Sequence, residues 1–245
     1  MTDAYRDDLA FIHDAGYGHF ARAAGPVLLA ELRRAGLDRG RVVDLGCGSG
    51  ILSETAAAAG YDVLGIDISP SMIALAKKRV PGGEFRVGPL LAAELPPCAA
   101  VAAVGEVVNF LFDTANTDRR LWGLFRRVFA ALCPGGVFLF DAAGPGRVPG
   151  RGPRRQHAEG DGWAVQVVAT EDRPRRRLER RITSFRRVGE LYRRDHEVHR
   201  LRLLVPSEIA ERLRAAGFRV RRPAGYGAER FGPGHAGFLA RKPVL

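Results

Sequence analysis

The chain has 245 residues, and 46% of them are hydrophobic, which is enough apolar material for a sizeable core and excludes wholesale disorder. No apolar run approaches the roughly 18 residues that a membrane span requires, and the polar N-terminus is not followed by the apolar segment of a secretory signal. The formal net charge of +11 would attract nucleic acid, but only three of the 38 basic residues are lysine, and abundant arginine, alanine and glycine together indicate a GC-rich genome.

The N-terminal segment is predicted to be helical. Apolar residues recur at near-helical spacing over residues 5–37, and Gly16, Gly18 and the Gly25-Pro26 pair interrupt the pattern. We therefore predict two or three short helices here rather than one.

The next hundred residues alternate between short apolar runs and longer helical stretches. In chain order we predict strand 41–45, helix 51–60, strand 63–66, helix 69–79, strands 85–87 and 101–104, helix 118–132 and strand 137–141. Strands that alternate with helices in this way predict a parallel sheet with helices on both faces.

The pattern changes after the fifth strand. Residues 144–162 are rich in glycine, proline and arginine, which predicts a flexible loop. Three successive strands are predicted at 163–170, 178–185 and 191–203. They indicate an antiparallel layer inserted after strand five. A helix at 207–216 with Ser207 as its N-cap, and strands at 218–220 and 238–241, complete the prediction.

The strongest motif follows the first strand. The stretch 42–50 runs from a hydrophobic strand into Gly46, Gly48 and Gly50, and glycine lets a ligand approach the backbone closely. Asp67 follows 17 residues beyond Gly50, at the end of the second strand, where a carboxylate can accept hydrogen bonds from both hydroxyls of a ribose.

A dinucleotide site is the nearest alternative for this loop. That fingerprint needs a glycine at position 51, where this chain has Ile51. Asp44 would also repel a pyrophosphate, whereas an acid at that position suits a ligand that carries positive charge.

The loop resembles motif I of the class I S-adenosylmethionine (SAM)-dependent methyltransferases, in the small-molecule branch. Residues 66–72 resemble the acidic second motif of that family, and 132–138 resemble its turn into strand five. The resemblance covers roughly residues 38–142, and the tail from 215 to 243 fits as well. It implies a Rossmann-like, doubly wound α/β sheet of seven strands with a helical N-terminal lid and an antiparallel β insert after strand five.

The resemblance also divides the chain into a lid, a core and a roof. Residues 1–37 would form the helical lid, 38–143 with 204–245 the SAM-binding core, and 144–203 the roof over the substrate. The implied cofactor is SAM, and the product would be S-adenosylhomocysteine.

The cofactor-binding residues that the resemblance implies lie at the strand ends and on the lid. They are Gly46, Cys47, Gly48 and Gly50 along the methionyl chain, Asp44 near its amino group, Asp67 on the ribose, Ile68, Met72 and Leu90 at the adenine, Gly105 and Glu106 beside the sulfonium, and Tyr17, Phe20 and Arg22 over the cofactor. Two stretches depart from the family's pattern. Residues 87–91 have no acid to face the adenine amine and include Pro89, which has no N–H, and residues 97–101 lack the usual aspartate.

Several methyl-transfer chemistries are excluded by residues near strand four. Enzymes that methylate nucleic-acid amino groups carry a (D/N/S)PP(Y/F) motif just after that strand, where this chain has 105–108 Gly-Glu-Val-Val. Cytosine C5 enzymes need a Pro-Cys nucleophile there, but Cys98 precedes the strand. Glu106, Asn109 and Asp141 are conceivable metal ligands, yet we expect no metal. The expected acceptor is a small molecule, methylated on oxygen or nitrogen.

The predicted insert carries a dense run of titratable residues over 192–200. Strand alternation places Glu197, His199, Leu201 and Leu203 on one face, and His196, Val198, Arg200 and Arg202 on the other. We predict that Glu197 and His199 face the substrate with His196 as the spare, and that Glu106 lies at the mouth of the crevice as a further catalytic candidate. The alternative is a set of cross-strand pairs on an exposed sheet.

Other functions stay open at this stage. An arginine cluster at 173, 175–177, 180 and 181 predicts a solvated hairpin tip, but an RNA methyltransferase could use it. A SAM-binding scaffold without catalysis is a further alternative. Three cysteines without close spacing indicate a reducing compartment, so we expect a cytoplasmic protein without a membrane partner, as a monomer or homodimer.

Overall fold

The computed structural model describes residues 4–244. In chain order its elements are α1 (Asp7–Gly16), α2 (His19–Arg34), β1 (Arg41–Leu45), α3 (Ile51–Ala58), β2 (Asp62–Asp67), α4 (Pro70–Arg79), β3 (Glu84–Val87), β4 (Cys98–Ala103), α5 (Asp118–Ala131), β5 (Leu132–Ala143), β6 (Arg154–Gly160), β7 (Trp163–Asp172), β8 (Arg177–Val188), β9 (Leu191–Arg202), α6 (Pro206–Ala215), β10 (Arg219–Arg221), β11 (Gly225–Tyr226), β12 (Glu229–Arg230) and β13 (His235–Arg241). Short 3₁₀ turns follow β3 and β4.

The main sheet has seven strands in the order β10-β13-β5-β4-β1-β2-β3. The pairs among β3, β2, β1, β4 and β5 are parallel, and β13 runs antiparallel to both of its neighbours. Successive residues of β1 serve opposite faces, because Val42 packs with α2, α3 and α4 whereas Val43 packs with α5 and α6. The predicted doubly wound α/β fold is therefore confirmed.

The first two helices differ from the prediction at Gly25-Pro26. Helix α2 runs through this pair without a break. A Cβ on Gly25 would lie 2.7 Å from Thr55 Cγ2, so glycine allows α2 to pack closely on α3. Burial of Leu28 and Leu32 in the core offsets the hydrogen bond that Pro26 cannot make.

The predicted insert forms a second, four-stranded antiparallel sheet in the order β6-β7-β8-β9. The prediction of a flexible loop over 144–162 was wrong for β6, which pairs with β7 from Arg154 opposite Ala169 to Gly160 opposite Trp163. The residues of β6 are largely exposed and polar, so they carry no hydrophobic period that a sequence pattern could show.

Two details of the C-terminal segment also differ from the prediction. Helix α6 begins at Pro206 after Val205, and no side chain caps it, so Ser207 is not the N-cap. The short hairpin β11–β12 was not predicted. Gly217 follows the C-cap of α6 with a φ of +105°, a conformation that glycine adopts without strain.

Helix α1 joins the two sheets at the carboxyl ends of the parallel strands. Its Leu9 and Ile12 pack against Trp163, Val165 and Ile182 of the second sheet. The helix contacts α4 of the first sheet as well. This arrangement leaves a recess between α1, the second sheet and the ends of β1, β2 and β4. Over residues 4–244, none of the helices combines the length and the apolar character needed to cross a membrane.

Candidate active site

The recess contains a cavity of about 110 Å³. Its walls come from the carboxyl ends of the parallel strands, from the segment that leads into α1, and from the loop after β4. The lining residues used below are Tyr5, His13, Gly46, Asp67, Ile68, Met72, Leu90, Gly105, Phe110, Phe112 and Asn116. Open α/β sheets bind ligands at this edge, so the cavity is the candidate site.

Two glycines expose backbone to this cavity. Gly46 has a φ of +65°, and a Cβ there would lie 2.6 Å from Val107 Cγ1, so a side chain would displace the loop after β4. Gly105 has a φ of +94° and lines the cavity at the end of β4, the strand next to β1. Both positions require glycine for conformational reasons, and both leave backbone atoms open to a ligand.

Asp67 lies at the end of β2 and lines the cavity. Its Oδ2 accepts a hydrogen bond from Gly48 N at 2.9 Å, and its Oδ1 accepts one from Ser69 N at 2.9 Å. Burial raises the pKa of Asp67, and the backbone donors act in the opposite direction. Each oxygen can accept a further hydrogen bond from a ligand.

Asp44 lies two residues before Gly46 and is buried. Ser53 Oγ donates a hydrogen bond to its Oδ2 at 2.7 Å. Burial raises the pKa of Asp44 to about 7, although the bond from Ser53 lowers it. This carboxyl group therefore titrates near neutral pH, where a nearby positive charge would favour its ionised form.

The structure brings together only part of the predicted cofactor set. The predicted residues that line the cavity are Gly46, Asp67, Ile68, Met72, Leu90 and Gly105. Within the described residues, Asp44, Cys47, Gly48, Gly50, Glu106, Tyr17 and Arg22 do not line it. Tyr17, directly after α1, and Arg22, on α2, are both exposed, whereas α1 contributes His13 to the cavity.

Asp141, on β5, fixes the loop after β4 from behind. This fully buried carboxylate accepts hydrogen bonds from Gly105 N at 2.9 Å and Glu106 N at 2.7 Å. It also accepts one from the Tyr226 hydroxyl at 3.0 Å, and His235 Nε2 lies 2.8 Å away. The position of the Gly105 wall therefore depends on Asp141.

Glu106 is buried, and its carboxylate forms ion pairs with two arginines. Its Oε1 lies 2.5 Å from Arg147 Nε, and its Oε2 lies 2.6 Å from Arg180 Nη2 on the second sheet. Burial alone would raise the pKa of Glu106, but Arg180 and Arg147 outweigh it and lower the pKa to about 2. A carboxylate this acidic is a poor proton acceptor, and here it ties the two sheets together.

Glu197 and His199 lie on the buried face of β9, as the alternation predicted, but they stand behind the cavity wall. Glu197 Oε2 and Oε1 accept hydrogen bonds from Tyr5 N and Arg6 N, both at 2.8 Å. His199 Nε2 lies 2.8 Å from Glu197 Oε2. The imidazole packs against the ring of Tyr5 with centroids 4.7 Å apart. This pair holds the segment before α1 in place.

Two other residues of β9 are placed differently. His196 lies on the exposed face and contacts Thr183 Oγ1 at 3.1 Å. Arg202 was predicted to share that face, but it is buried, because its guanidinium turns to Asn116 and Asp118 at the end of the strand.

Four cavity residues were missed by sequence reasoning or given no role by it. Tyr5, Phe110 and Phe112 form an aromatic end, and the rings of Phe110 and Phe112 stack with centroids 4.9 Å apart. The ring of His13, a residue that no sequence pattern singled out, has its centroid 5.2 Å from that of Tyr5. The apolar residues after strand four were the available signal for the phenylalanines. Tyr5 lies in a polar segment and had none.

His13 carries an unused polar atom. Its Nδ1 is buried and has no hydrogen-bond partner among residues 4–244. Burial lowers the pKa of His13 to about 4, so the imidazole is neutral at physiological pH. It can accept a hydrogen bond from a ligand at the aromatic end.

Comparisons with known proteins find similarity to methyltransferases. The family described as "Methyltransferase domain" matches residues 42–136. The chain is 28% identical to the putative methyltransferase YqeM of Bacillus subtilis (strain 168) over 191 residues, which is 76% of each chain. A SAM-dependent methyltransferase from Clostridium acetobutylicum superimposes with a TM-score of 0.79 at 18% identity, covering 96% of this chain and 97% of that one. The SAM-bound amino pentose methyltransferase CalS10 from Micromonospora echinaspora gives a TM-score of 0.74 at 24% identity, covering 94% and 96%.

Proposed function

Because the chain belongs to the class I SAM-dependent methyltransferases and SAM is its cofactor, we propose that it transfers the methyl group to an oxygen or nitrogen atom of a small-molecule acceptor. The observation that carries the proposal is the lining of the cavity. It combines the strand-end loops around Asp67, the first end, with Tyr5, His13, Phe110 and Phe112, the aromatic end, and the two meet where Ser69 Oγ donates a hydrogen bond to Tyr5 O at 2.8 Å. The amino pentose acceptor in the name of CalS10 is consistent with a small acceptor.

The residues at the first end fit a nucleoside with a cationic chain. We assign the ribose hydroxyls to Asp67 and the adenine to the apolar side chains of Ile68, Met72 and Leu90. The methionyl chain would follow the backbone at Gly46 and the turn through Cys47, Gly48 and Gly50, with its ammonium toward Asp44. The Gly105 backbone would flank the sulfonium.

The small volume of the cavity implies movement during binding. Its 110 Å³ is less than the roughly 300–1,000 Å³ of typical ligand sites. Tyr5 and α1 cover the site, and Glu197 holds the start of this cover. Entry of SAM therefore requires α1 and Tyr5 to move outward, and their return would exclude water from the acceptor.

Bound SAM supplies an activated methyl group, so the protein mainly aligns the acceptor and keeps the site dry. Tyr5, Phe110 and Phe112 provide the dry wall, and the Glu197–His199 pair supports it from behind. His13 is the polar group at this end. We assign it the hydrogen bond to the acceptor atom, because a neutral imidazole can accept the acceptor's O–H or N–H.

Replacing His13 with alanine is expected to lower kcat/KM for methyl transfer by about tenfold to a hundredfold. The variant loses the hydrogen bond that orients the acceptor but keeps the whole cofactor end. Transfer of labelled methyl from SAM to a panel of small hydroxyl and amino compounds measures the effect. SAM affinity should stay within twofold of the wild type.

The matched control is His157→Ala, which removes an exposed histidine from β6. It should leave transfer unchanged. An equal loss of activity in both variants, or a loss of SAM binding in the His13 variant, would contradict the assignment of His13 to the acceptor.

SAM affinity is expected to rise about tenfold from pH 5.5 to pH 7.5 because of Asp44. In the free protein, Asp44 is protonated below its pKa of about 7. The ligand's ammonium favours the carboxylate, so binding releases a proton and weakens as the pH falls. Calorimetry across this range measures the slope. The Asp44→Asn variant should bind SAM with a flatter pH profile, and an unchanged slope in that variant would show that another group is responsible.

A further inference from the structure

A second recess lies beside the cavity, between the first turns of α5 and α6 and the turn that joins β7 to β8. Its volume is about 510 Å³. We call it the arginine groove, because five arginines line it. These are Arg119, Arg175, Arg176, Arg177 and Arg202.

The arginine groove carries positive charge that the described residues do not neutralise. Three of the arginines have acidic partners, since Arg202 contacts Asp118 at 2.8 Å, Arg176 contacts Glu208 at 3.0 Å, and Arg175 contacts Asp172 at 3.2 Å. Arg119 and Arg177 have neither an ion pair nor a side-chain hydrogen bond within residues 4–244. The groove therefore has two free guanidinium groups.

Arg177 and Arg202 also lie directly opposite each other on β8 and β9. Like charges in such a cross-strand pair repel each other. Arg202 is 6% exposed, and its Nε is buried without a hydrogen-bond partner in the described part of the chain. An anion in the groove would relieve the repulsion and add acceptors for these donors.

Two helix N-termini point to the same kind of ligand. Helix α5 presents residues 117–119 to the groove, and α6, whose first turn has no side-chain cap, presents Glu208. The positive end of each helix dipole favours an anion at such a place, although Thr117 Oγ1 accepts a hydrogen bond from Arg120 N and the first turns carry the carboxylates Asp118 and Glu208. Arginine guanidinium groups beside helix termini are a combination that recognises phosphate.

Asn116 connects the groove to the acceptor end of the cavity. It lines both recesses. Its Oδ1 accepts a hydrogen bond from Arg202 Nη2 at 2.8 Å, and its Nδ2 donates one to Phe110 O at 2.6 Å. The two recesses are therefore adjacent, with the Asn116 side chain as their shared wall, and an acceptor that occupies both must displace that side chain.

We propose that the arginine groove binds a phosphate group carried by the acceptor, which makes the acceptor a phosphate-bearing small molecule. The link to catalysis rests on the proposed function, whereas the anion site does not. Free inorganic phosphate has the same chemistry as a phosphate carried by the acceptor, so the experiment compares these two sources.

The test is calorimetric titration at low ionic strength with phenyl phosphate and with inorganic phosphate. Phenyl phosphate places an apolar ring next to the phosphate, as a ligand that reaches Phe110 would. We expect it to bind the wild type at least as tightly as inorganic phosphate does. The double variant Arg119→Ala with Arg177→Ala should weaken its binding about tenfold or more.

The matched control removes two exposed arginines elsewhere, with Arg33→Ala and Arg39→Ala, and should change the affinity less than twofold. Equal weakening in both double variants would show a general charge effect and overturn the site. If inorganic phosphate binds and phenyl phosphate does not, the claim that the acceptor carries the phosphate is refuted. If neither binds, the claim that the groove is an anion site is refuted. A SAM titration of the same samples tests the proposed function independently of the anion site. Loss of SAM binding would contradict the proposed function and would leave the result for phosphate binding unaffected.

Discussion

Replacing Asp67 with alanine is expected to weaken SAM binding by at least about a hundredfold. In our assignment its carboxylate accepts two hydrogen bonds from the ribose, and each charge-assisted bond contributes about 1.5–3 kcal/mol. The substitution also leaves Gly48 N and Ser69 N without their acceptor, which loosens the turn beside the cofactor. Both effects reduce affinity, and neither depends on the identity of the acceptor.

Asp62→Ala is the matched control, because Asp62 is an exposed aspartate at the other end of the same strand. Its SAM affinity should equal that of the wild type. Circular dichroism of the Asp67 variant establishes that it is folded before titration. A folded Asp67→Ala protein that binds SAM as tightly as the wild type would refute the placement of the ribose.

Replacing Glu106 with glutamine is expected to reduce the free energy of unfolding by about 3 kcal/mol at neutral pH. The substitution leaves Arg180 and Arg147 without their counter-charge inside the protein, and breaking a buried ion pair on one side is strongly destabilising. Because Arg180 belongs to the second sheet and Glu106 to the loop after β4 of the first sheet, the contact between the two should weaken. Urea unfolding monitored by fluorescence measures the change.

The pH dependence of this effect has a definite sign. The pKa of Glu106 is lowered from 4.5 to about 2 in the folded protein. Its contribution to stability is therefore fully present above about pH 4.5 and is lost as the pH falls toward 2. The difference between wild type and Glu106→Gln should shrink over that window. The control Glu94→Gln, at an exposed site, should behave as the wild type, and a constant difference from pH 7 to pH 2 would contradict the ion-pair explanation.

The sequence predicted the elements that are defined by local patterns. Strand β1 and the glycines after it stand out because a continuous apolar run ends in residues that need positive φ, and Asp67 follows at a fixed position. Strand β6 could not be predicted, since its exposed polar residues form a strand only because β7 offers a partner. The same holds for α2, where packing on α3 keeps the helix intact through Pro26.

In the candidate site, too, the sequence predicts features that depend on local pattern and misses those that depend on long-range contacts. Glu106 and Glu197 were visible as carboxylates, but their partners were not. Arg147 and Arg180 are 41 and 74 residues away from Glu106, and Tyr5 is 192 residues away from Glu197. A sequence pattern shows which groups can react, whereas long-range contacts decide which of them are already engaged. The role that we assign to His13 depends on the burial of its imidazole, and no local sequence pattern indicates that burial.

The most direct test of the central claim is a calorimetric titration of the wild-type protein with SAM and with S-adenosylhomocysteine. If the cavity beside Asp67 is the cofactor site of a methyltransferase, both ligands should bind one site per chain with micromolar affinity. Each should also raise the Tm of the protein. The absence of both heat and thermal stabilisation at millimolar concentrations of either ligand would contradict it.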